Sequence, residues 1–377
     1  MRKKGIPIIY KPWSPKTLLE CINDYRDGKI PVLNLDFSAK CSFCSCLYCD
    51  SKVGKASLGE ISAQEAATLI TEMFNSYGLK WIYICGLGEP TEDPKFFPVL
   101  ECAKSLGIKV SIFTNGTGID ANKAAILKNY PLYIALKLDS LNATTFDTLA
   151  GKTGVANKIY KFLEILINSG FLREIDGETN LALSIVPTKL NFTEIKEIIN
   201  FCKKNKIFPA IGEMEEVNKA ASNIDRLSLT RDQLISLRKQ ISQIIGYEYE
   251  RPLCPGIIPS LHVTNTGDYV MDKKTGLSCS WFFMKDLNYH VLGNIRHDNL
   301  TEVISHMKKH RYDNRLKSEI LLKNHNPVFG GGGSQPIKWY KLYLSLLEDC
   351  CEQKKRGEYT YEQTEFGEKN MFRNITI

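Results

Sequence analysis

The feature that most constrains the fold is an alternation, over residues 31–215, of short apolar runs with amphipathic helical patterns. The runs are rich in Val, Ile, Leu and Tyr, which is typical of parallel strands buried on both faces. Six candidate strands result: Pro31–Phe37, Lys80–Cys85, Ile108–Thr114, Leu132–Leu138, Leu181–Pro187 and Phe208–Gly212. Six β/α units predict an α/β fold with a parallel sheet, open or barrel-like.

The pattern changes after residue 215, where a polar helical stretch leads into an irregular region rich in proline. Thr264–Asp268 has the composition of a hairpin turn, and the last residues are highly charged. The sequence therefore predicts an N-terminal extension, a β/α core, a helical connector, an α+β extension and a charged tail, at residues 1–30, 31–215, 216–250, 251–349 and 350–377.

The chain of 377 residues has 12 cysteines, although a chain of this length needs no disulfides to fold. Free or metal-bound thiols in a reducing cytoplasm are the expected state. The net charge of +7 is a mild excess that neither indicates nor excludes a nucleic-acid partner. No apolar stretch reaches the length of a membrane span, so no membrane association is expected.

Four cysteines lie within nine residues directly after the first candidate strand: Cys41, Cys44, Cys46 and Cys49. Two zinc knuckles usually need a long spacer between their C-x-x-C pairs, whereas an iron–sulfur cluster accepts ligands from one winding loop. The spacing favours an iron–sulfur cluster, with zinc and unliganded thiols as the alternatives.

A second motif, Gly86-Leu87-Gly88-Glu89-Pro90, follows the second candidate strand. Glycines after a strand let the backbone approach a ligand closely, and a carboxylate there can bind an ammonium group. Alone, the motif is a weak signal that favours a turn with a helix cap; beside a cysteine loop it is specific.

Together these motifs resemble the radical S-adenosylmethionine (SAM) enzymes. That family has a C-x3-C-x2-C loop after its first strand and a G-x-G-E-P motif after its second. The resemblance spans about residues 30–215 and implies a partial (β/α)6 barrel of the TIM-like type with a smaller C-terminal α+β extension. It also implies a core 4Fe–4S cluster held by Cys41, Cys46 and Cys49, one residue more widely spaced than usual, with Cys44 left over.

The resemblance further implies which residues bind SAM. Gly86, Gly88 and Glu89 would face its amino group, and Tyr48 would lie against the adenine. The later strand ends would contribute further contacts near the ribose and carboxylate, from Asn115, Lys137, Asp139 and Val186. Asp139 could instead cap the helix that begins near Ala143, and Lys137 could instead face the substrate.

The chemistry implied by the resemblance is reductive cleavage of SAM to a 5′-deoxyadenosyl radical, which abstracts hydrogen from a substrate. A one-electron donor such as flavodoxin or ferredoxin is then required. The protein supplies placement, electrostatics and exclusion of solvent.

The C-terminal third resembles the SPASM/Twitch extension of many radical SAM enzymes. Cys254, Gly267, Cys279 and the Leu-Gly-Asn-Ile segment at 292–295 follow in the order of that extension. Asp272 stands where the extension has a thiol. One auxiliary 4Fe–4S cluster that uses Cys254 and Cys279 and a metal-free extension are both open. His306 and His310, four residues apart, are interpreted as part of a solvated helix face.

SPASM-type relatives most often modify peptides or proteins, so the resemblance implies a peptide or protein side chain as the substrate. The alternatives are a radical SAM enzyme that acts on tRNA or a small metabolite, and a non-catalytic zinc or iron–sulfur structural or sensor protein.

Overall fold

The structure is a computed structural model, which describes residues 8–43, 45–49, 57–84, 87–214, 218–249, 260–273 and 289–313. Its strands are β1 Ile9–Tyr10, β2 Val32–Leu35, β3 Trp81–Ile84, β4 Lys109–Thr114, β5 Leu132–Lys137, β6 Glu174–Ile175, β7 Glu178–Thr179, β8 Leu181–Ile185, β9 Phe208–Ile211, β10 Ser260–Val263, β11 Asp268–Asp272 and β12 Tyr289–Asn294. Its helices are α1 Pro15–Arg26, α2 Ala63–Tyr77, α3 Phe96–Leu106, α4 Ala121–Ile126, α5 Ala143–Ala150, α6 Ala156–Asn168, α7 Ile195–Asn205, α8 Asn218–Ser222, α9 Ile224–Leu227, α10 Arg231–Ile245 and α11 Leu300–Asp313.

One large sheet organises the described residues. Its strand order is β12-β11-β10-β2-β3-β4-β5-β8-β9. The six strands predicted from the apolar runs are β2, β3, β4, β5, β8 and β9, and they pair in parallel in chain order. The α/β prediction with a parallel sheet is therefore confirmed. Within the described residues, β9 and β12 form the two edges, and no pairing closes the sheet.

Helices follow the core strands because their sequences carry both start signals and an apolar stripe. Ser62 and Glu65 form a reciprocal capping box at the start of α2, whose buried stripe is Ala66, Leu69, Ile70 and Met73. The α10 helix has a second capping box, from Thr230 and Gln233, and buries Leu237 and Ile241. Most of the connector predicted at residues 216–250 is thus helical, as α8, α9 and α10.

The residues before the first core strand pack onto the other face of the sheet. Side chains alternate along a strand, so the registered neighbours Tyr83 and Ser111 share a face. The Tyr10 hydroxyl lies 3.2 Å from that of Ser111, and the Tyr83 hydroxyl donates to the carbonyl of Pro12 at 2.7 Å. Trp13 contacts Phe113 with ring centroids 5.8 Å apart. The N-terminal segment is therefore packed against the core. The predicted limits of the domains stay predictions.

The C-terminal third continues the same sheet. Strand β10 pairs in parallel with β2, and β10 and β11 form the hairpin predicted at Thr264–Asp268. The side chain of Arg311, on α11, is fully buried and donates to the carbonyl of Ser260 at 2.6 Å. The predicted extension is therefore continuous with the core at this point, because its first described strand extends the core sheet.

A helix that crosses a bilayer must be both long and apolar. None of the described helices combines enough residues with enough apolar character to cross a membrane.

Candidate active site

The predicted site residues that the structure describes gather at one edge of the sheet. The cysteine loop follows β2, Gly88 and Glu89 follow β3, Asn115 follows β4, and Asp139 follows β5. Parallel strands bring their carboxyl ends to the same edge, where α/β proteins generally bind ligands. Gly86 and Cys44 lie outside the described residues.

The cysteine loop is fastened to the elements on either side of it. The backbone N–H of Leu47 donates to the carbonyl of Leu149 at 2.9 Å, and the Ser45 hydroxyl donates to the carbonyl of Ala150 at 3.0 Å. On the opposite side Glu92 accepts from the backbone N–H of Ser42 at 3.0 Å. The loop therefore has a defined path, although most of its side chains are partly exposed.

Cys41, Cys46 and Cys49 form no disulfide and are of intermediate exposure. No three His, Cys, Asp or Glu side chains in the described part of the chain are grouped to hold one metal ion. A zinc ion needs ligands that converge on a point, whereas each thiolate of a 4Fe–4S cluster binds its own iron. Three thiols on one loop are the donor type that such a cluster uses, so their chemistry fits this group, and their role as ligands stays a prediction.

Gly88 allows the loop after β3 to touch the start of the cysteine loop. A Cβ atom at this position would lie 2.3 Å from the carbonyl oxygen of Lys40 and 2.4 Å from that of Ser38. The adjoining N–H of Glu89 donates to the Lys40 carbonyl at 2.9 Å. The close backbone approach predicted for this glycine occurs here between two segments of the protein itself.

The Glu89 carboxylate is buried and surrounded by donors of the protein. It accepts from the backbone N–H of Thr91 at 3.0 Å, the Thr91 hydroxyl at 2.6 Å, the backbone N–H of Asn115 at 2.7 Å and the Thr114 hydroxyl. Burial raises the pKa of Glu89, against the opposing effect of these hydrogen bonds. Glu89 thus joins the ends of β3 and β4; its contact with the SAM amino group stays a prediction.

Asn115 connects this network with the cysteine loop. Its amide nitrogen lies 3.9 Å from the sulfur of Cys41, and its amide oxygen accepts from the backbone N–H of Thr117 at 2.9 Å. Thr117 in turn donates to Glu92 at 2.8 Å. The sequence reasoning missed Glu92 and Thr117; the only available signal was their position beside the two motifs.

Tyr48, Lys137 and Asp139 form a compact polar cluster. The Lys137 amine lies 2.7 Å from Asp139 and 4.2 Å from the centroid of the Tyr48 ring, and the Tyr48 hydroxyl contacts both charged groups. Burial alone would lower the pKa of Lys137, but the Asp139 charge raises it well above its usual value. Burial and Asp139 raise the pKa of Tyr48. These shifts favour a charged Lys137 ammonium and a neutral Tyr48 phenol.

Asp139 also joins β5 to β8. Its carboxylate accepts from the backbone N–H of Val186 at 2.9 Å, and the buried Asn191 amide donates to the carbonyls of Asp139 at 2.8 Å and Val186 at 3.0 Å. The helix that begins at Ala143 is capped by Asn142. The capping role considered for Asp139 therefore belongs to Asn142.

The region of the predicted auxiliary cluster is described only in part. Cys254 and Cys279 lie outside the described residues. Asp272 is buried at the end of β11. His310 stacks on His290, with centroids 5.5 Å apart, and burial lowers the pKa of His310.

A comparison with known protein families identifies the β/α core. Residues 35–202 match the family model described as the radical SAM superfamily. The chain contains a radical SAM domain. Enzymes of this superfamily use a 4Fe–4S cluster together with SAM, which agrees with the cofactors predicted from the cysteine loop and the Gly-Glu motif.

Two curated relatives each match about half of this chain. Mycofactocin maturase MftC of Mycolicibacterium smegmatis is 28% identical over 192 residues, which cover 50% of this chain and 46% of the relative. GTP 3′,8-cyclase of Synechocystis sp. is 24% identical over 181 residues, which cover 48% of this chain and 52% of the relative. The chain thus spans about half the length of these relatives.

Solved structures show the same fold. Streptococcus suis SuiB bound to S-adenosylmethionine aligns with a TM-score of 0.56 and 20% identity, over 73% of this chain and 65% of SuiB. SuiB bound to the precursor peptide SuiA aligns with a TM-score of 0.51 and 16% identity, over 76% of this chain and 67% of SuiB. The likeness extends beyond the radical SAM domain into the rest of the described chain.

Proposed function

We propose that the protein is a radical SAM enzyme that abstracts hydrogen from a side chain of a peptide or protein. The observation that carries the proposal is the gathering of the cysteine loop, Glu89, Asn115 and the Lys137–Asp139 cluster at one sheet edge, inside the matched domain. No lone motif would support it, since each has a structural explanation of its own.

In this proposal Cys41, Cys46 and Cys49 hold the 4Fe–4S cluster, and Gly88, Glu89, Asn115, Tyr48, Asp139 and Val186 shape the SAM site. When bound, the cluster and SAM supply a one-electron reduction that generates the hydrogen-abstracting radical. The protein's own contribution is to fix the loops before the ligand arrives, since the hydrogen bonds around Glu89 and Asp139 are already made.

Lys137 provides a fixed positive charge beside the proposed SAM site. Its side chain is 20% exposed, while its partner Asp139 is 1% exposed. The neighbouring strand positions on the same face are Ser184 and Ala210, which are small. We propose that Lys137 binds a carboxylate of SAM or substrate, and that the small residues leave space for the substrate.

The substrate class is supported by the peptide complex of SuiB, which has the same fold. GTP 3′,8-cyclase favours a second candidate, a small metabolite or nucleotide substrate. The two differ in what carries the modification, so mass spectrometry after turnover separates them. If a precursor peptide encoded beside this gene loses hydrogen atoms only when SAM and a reductant are present, the peptide proposal holds; an unchanged peptide contradicts it.

The radical SAM activity is tested on protein reconstituted with iron and sulfide without oxygen. We expect about four irons per chain and the formation of 5′-deoxyadenosine from SAM after reduction. Cys46→Ala should abolish the product, because each ligand thiolate holds one iron. Cys44→Ala should still form 5′-deoxyadenosine, since Cys44 is not among the proposed ligands.

A matched control is Cys102→Ala, because Cys102 lies on α3 and its pKa is raised by burial, as for an inert thiol. This variant should keep its iron and its product. Bound zinc without iron would instead indicate the non-catalytic alternative, and wild-type protein that yields no 5′-deoxyadenosine would refute the enzyme proposal.

The remaining predictions extend this proposal. A one-electron donor such as flavodoxin or ferredoxin would reduce the cluster in a cytoplasmic setting, where free thiols persist. A SPASM/Twitch-like role for the C-terminal region, with one auxiliary cluster on Cys254 and Cys279, predicts about eight irons per chain rather than about four.

A further inference from the structure

Asn115 is fixed in one orientation by the residues around it. Its backbone N–H donates to Glu89 at 2.7 Å, and its amide oxygen faces the backbone N–H of Thr117 at 2.9 Å. A backbone N–H can only donate, so the amide atom that faces it must be the oxygen. The amide nitrogen is then directed away from Thr117, toward the sulfur of Cys41 at 3.9 Å.

The two loops that carry this contact are tied together beside it. Glu92 accepts from the backbone N–H of Ser42, next to Cys41, at 3.0 Å, and from the Thr117 hydroxyl at 2.8 Å. Asn115 itself is only 6% exposed. The donor is therefore largely shielded from water, although the Cys41 sulfur is partly exposed, and an N–H donor acts more strongly on a sulfur where water is excluded.

We infer that Asn115 tunes the reduction potential of the iron–sulfur cluster by donating its side-chain N–H to the Cys41 thiolate. The inference rests on the proposed function, since it requires Cys41 to be a ligand. Hydrogen bonds to the sulfurs are among the factors that set cluster potentials. The donor stabilises the additional negative charge of the reduced cluster, so it makes reduction easier. Asn115 is a positioning and tuning residue in this role.

The experiment measures the midpoint potential of the reconstituted full-length protein by titration followed by electron paramagnetic resonance, without SAM. Asn115→Leu removes the donor without adding charge, and its potential should become more negative. Asn115→Asp keeps the acceptor for the Thr117 N–H, loses the donor and adds a negative charge. The midpoint potential of this variant should therefore be more negative still. Wild-type potentials in both fully loaded variants would overturn the inference, as would a shift in the Asp variant alone.

Thr117→Val is the matched control. It removes the Thr117 hydroxyl, which lies 2.5 Å from the Asn115 oxygen, while the Thr117 backbone N–H still donates to that oxygen at 2.9 Å and keeps the amide oriented. Its potential should equal that of the wild type. A shift as large as that of Asn115→Leu would mean that loop distortion, and not the N–H donor, sets the potential, and the inference would be rejected.

If the variants fail to load iron, the inference can still be tested on the wild type. Protein labelled with nitrogen-15 only in asparagine side-chain amides should show a weak nitrogen coupling to the reduced cluster in pulsed paramagnetic resonance. No coupling overturns the inference. Iron uptake and 5′-deoxyadenosine formation by the wild type decide the proposed function separately, so a protein that forms the product yet lacks the coupling refutes only the role of Asn115.

Discussion

At the scale of single residues, the site depends on side chains that hold neighbouring loops together more than on exposed reactive groups. Glu89 joins the ends of β3 and β4, and Asn191 joins those of β5 and β8. Gly88 removes the side chain that would keep two backbones apart. Each of these residues is buried or enclosed, so a change at any of them is expected to affect the shape of the site.

Gly88→Ala should lower both stability and SAM affinity. The added Cβ meets backbone oxygens of Lys40 and Ser38, which cannot move without displacing the cysteine loop. A strained contact of this kind costs about 1–3 kcal/mol. Urea unfolding and equilibrium dialysis with SAM in unreduced, reconstituted protein would measure the two losses.

Gly154→Ala is the control for this change. A Cβ at Gly154 meets no atom within 4 Å, although its φ of +79° makes alanine strained. We expect a stability loss of about 1–2 kcal/mol from that conformation, and unchanged SAM affinity. Equal affinity losses in the two variants would contradict the role assigned to Gly88.

The sequence predicted a close backbone approach at Gly88, but to a ligand. The structure shows the approach to the protein's own Lys40 carbonyl, and the contact of Gly88 with a ligand stays a prediction. Likewise, Asp139 was a possible helix cap, because an acidic residue near a helix start is the usual local signal. Asn142 provides that cap, and only the fold shows that Asp139 faces Lys137 and Val186.

At the scale of elements, the start of α2 is fastened to the segment that follows β12. Arg296, just after β12, lies 2.6 Å from Glu65 of α2 and also donates to the carbonyls of Gly59 and Glu60. The capping box and the six strands were predictable because their signals are local. The parallel pairing of β10 with β2 was not, since strands so far apart in sequence carry no local sign of being neighbours.

Glu65→Gln tests the link between α2 and β12 through its pH dependence. The hydrogen bond from Arg296, and then that from the Ser62 N–H, lower the pKa of Glu65 from 4.5 to about 2. A lowered folded-state pKa gives stability that is present above the unfolded pKa and is lost as the pH falls through the folded one. The free energy of unfolding of the wild type should therefore be higher than that of the variant near pH 7. The difference should be less than about 1 kcal/mol, since solvent screens this part-exposed pair.

The difference between wild type and Glu65→Gln should stay constant above about pH 5 and shrink as the pH falls toward 2. Gln can still accept from the Ser62 N–H, so the cap is kept. Glu72→Gln, which removes an exposed charge from the same helix, should show no such pH dependence. Chemical unfolding at several pH values gives the comparison, and a difference that grows on acidification would contradict the ion-pair explanation.

At the scale of the whole molecule, one sheet joins strands of the predicted core and of the predicted C-terminal extension, because β10 pairs with β2. The N-terminal segment packs on the sheet through Trp13, which contacts both Phe113 and Phe208. At the other end of the chain, Arg311 fastens α11 to β10. The described parts are therefore expected to unfold together.

Trp13→Ala and Arg311→Leu should lower the midpoint of one common unfolding transition. Removing the buried indole costs about 3–5 kcal/mol, and removing the buried guanidinium leaves the Ser260 carbonyl without that donor. Urea unfolding followed by circular dichroism and by tryptophan fluorescence should give coincident curves in both variants. Two separate transitions, each shifted by only one of the variants, would show that the predicted domains are independent.

The pairing of β2 with β10 also affects how the protein is made. Asn34 and Ser260, whose side chains bond across these strands, are 226 residues apart in sequence. During translation β2 can pair with β3 on one side, but its other edge stays open until the C-terminal third has left the ribosome. Open strand edges invite pairing with other chains, and distant contacts slow folding. Chains that stop before residue 260 are thus expected to aggregate even though the entire cysteine loop is present.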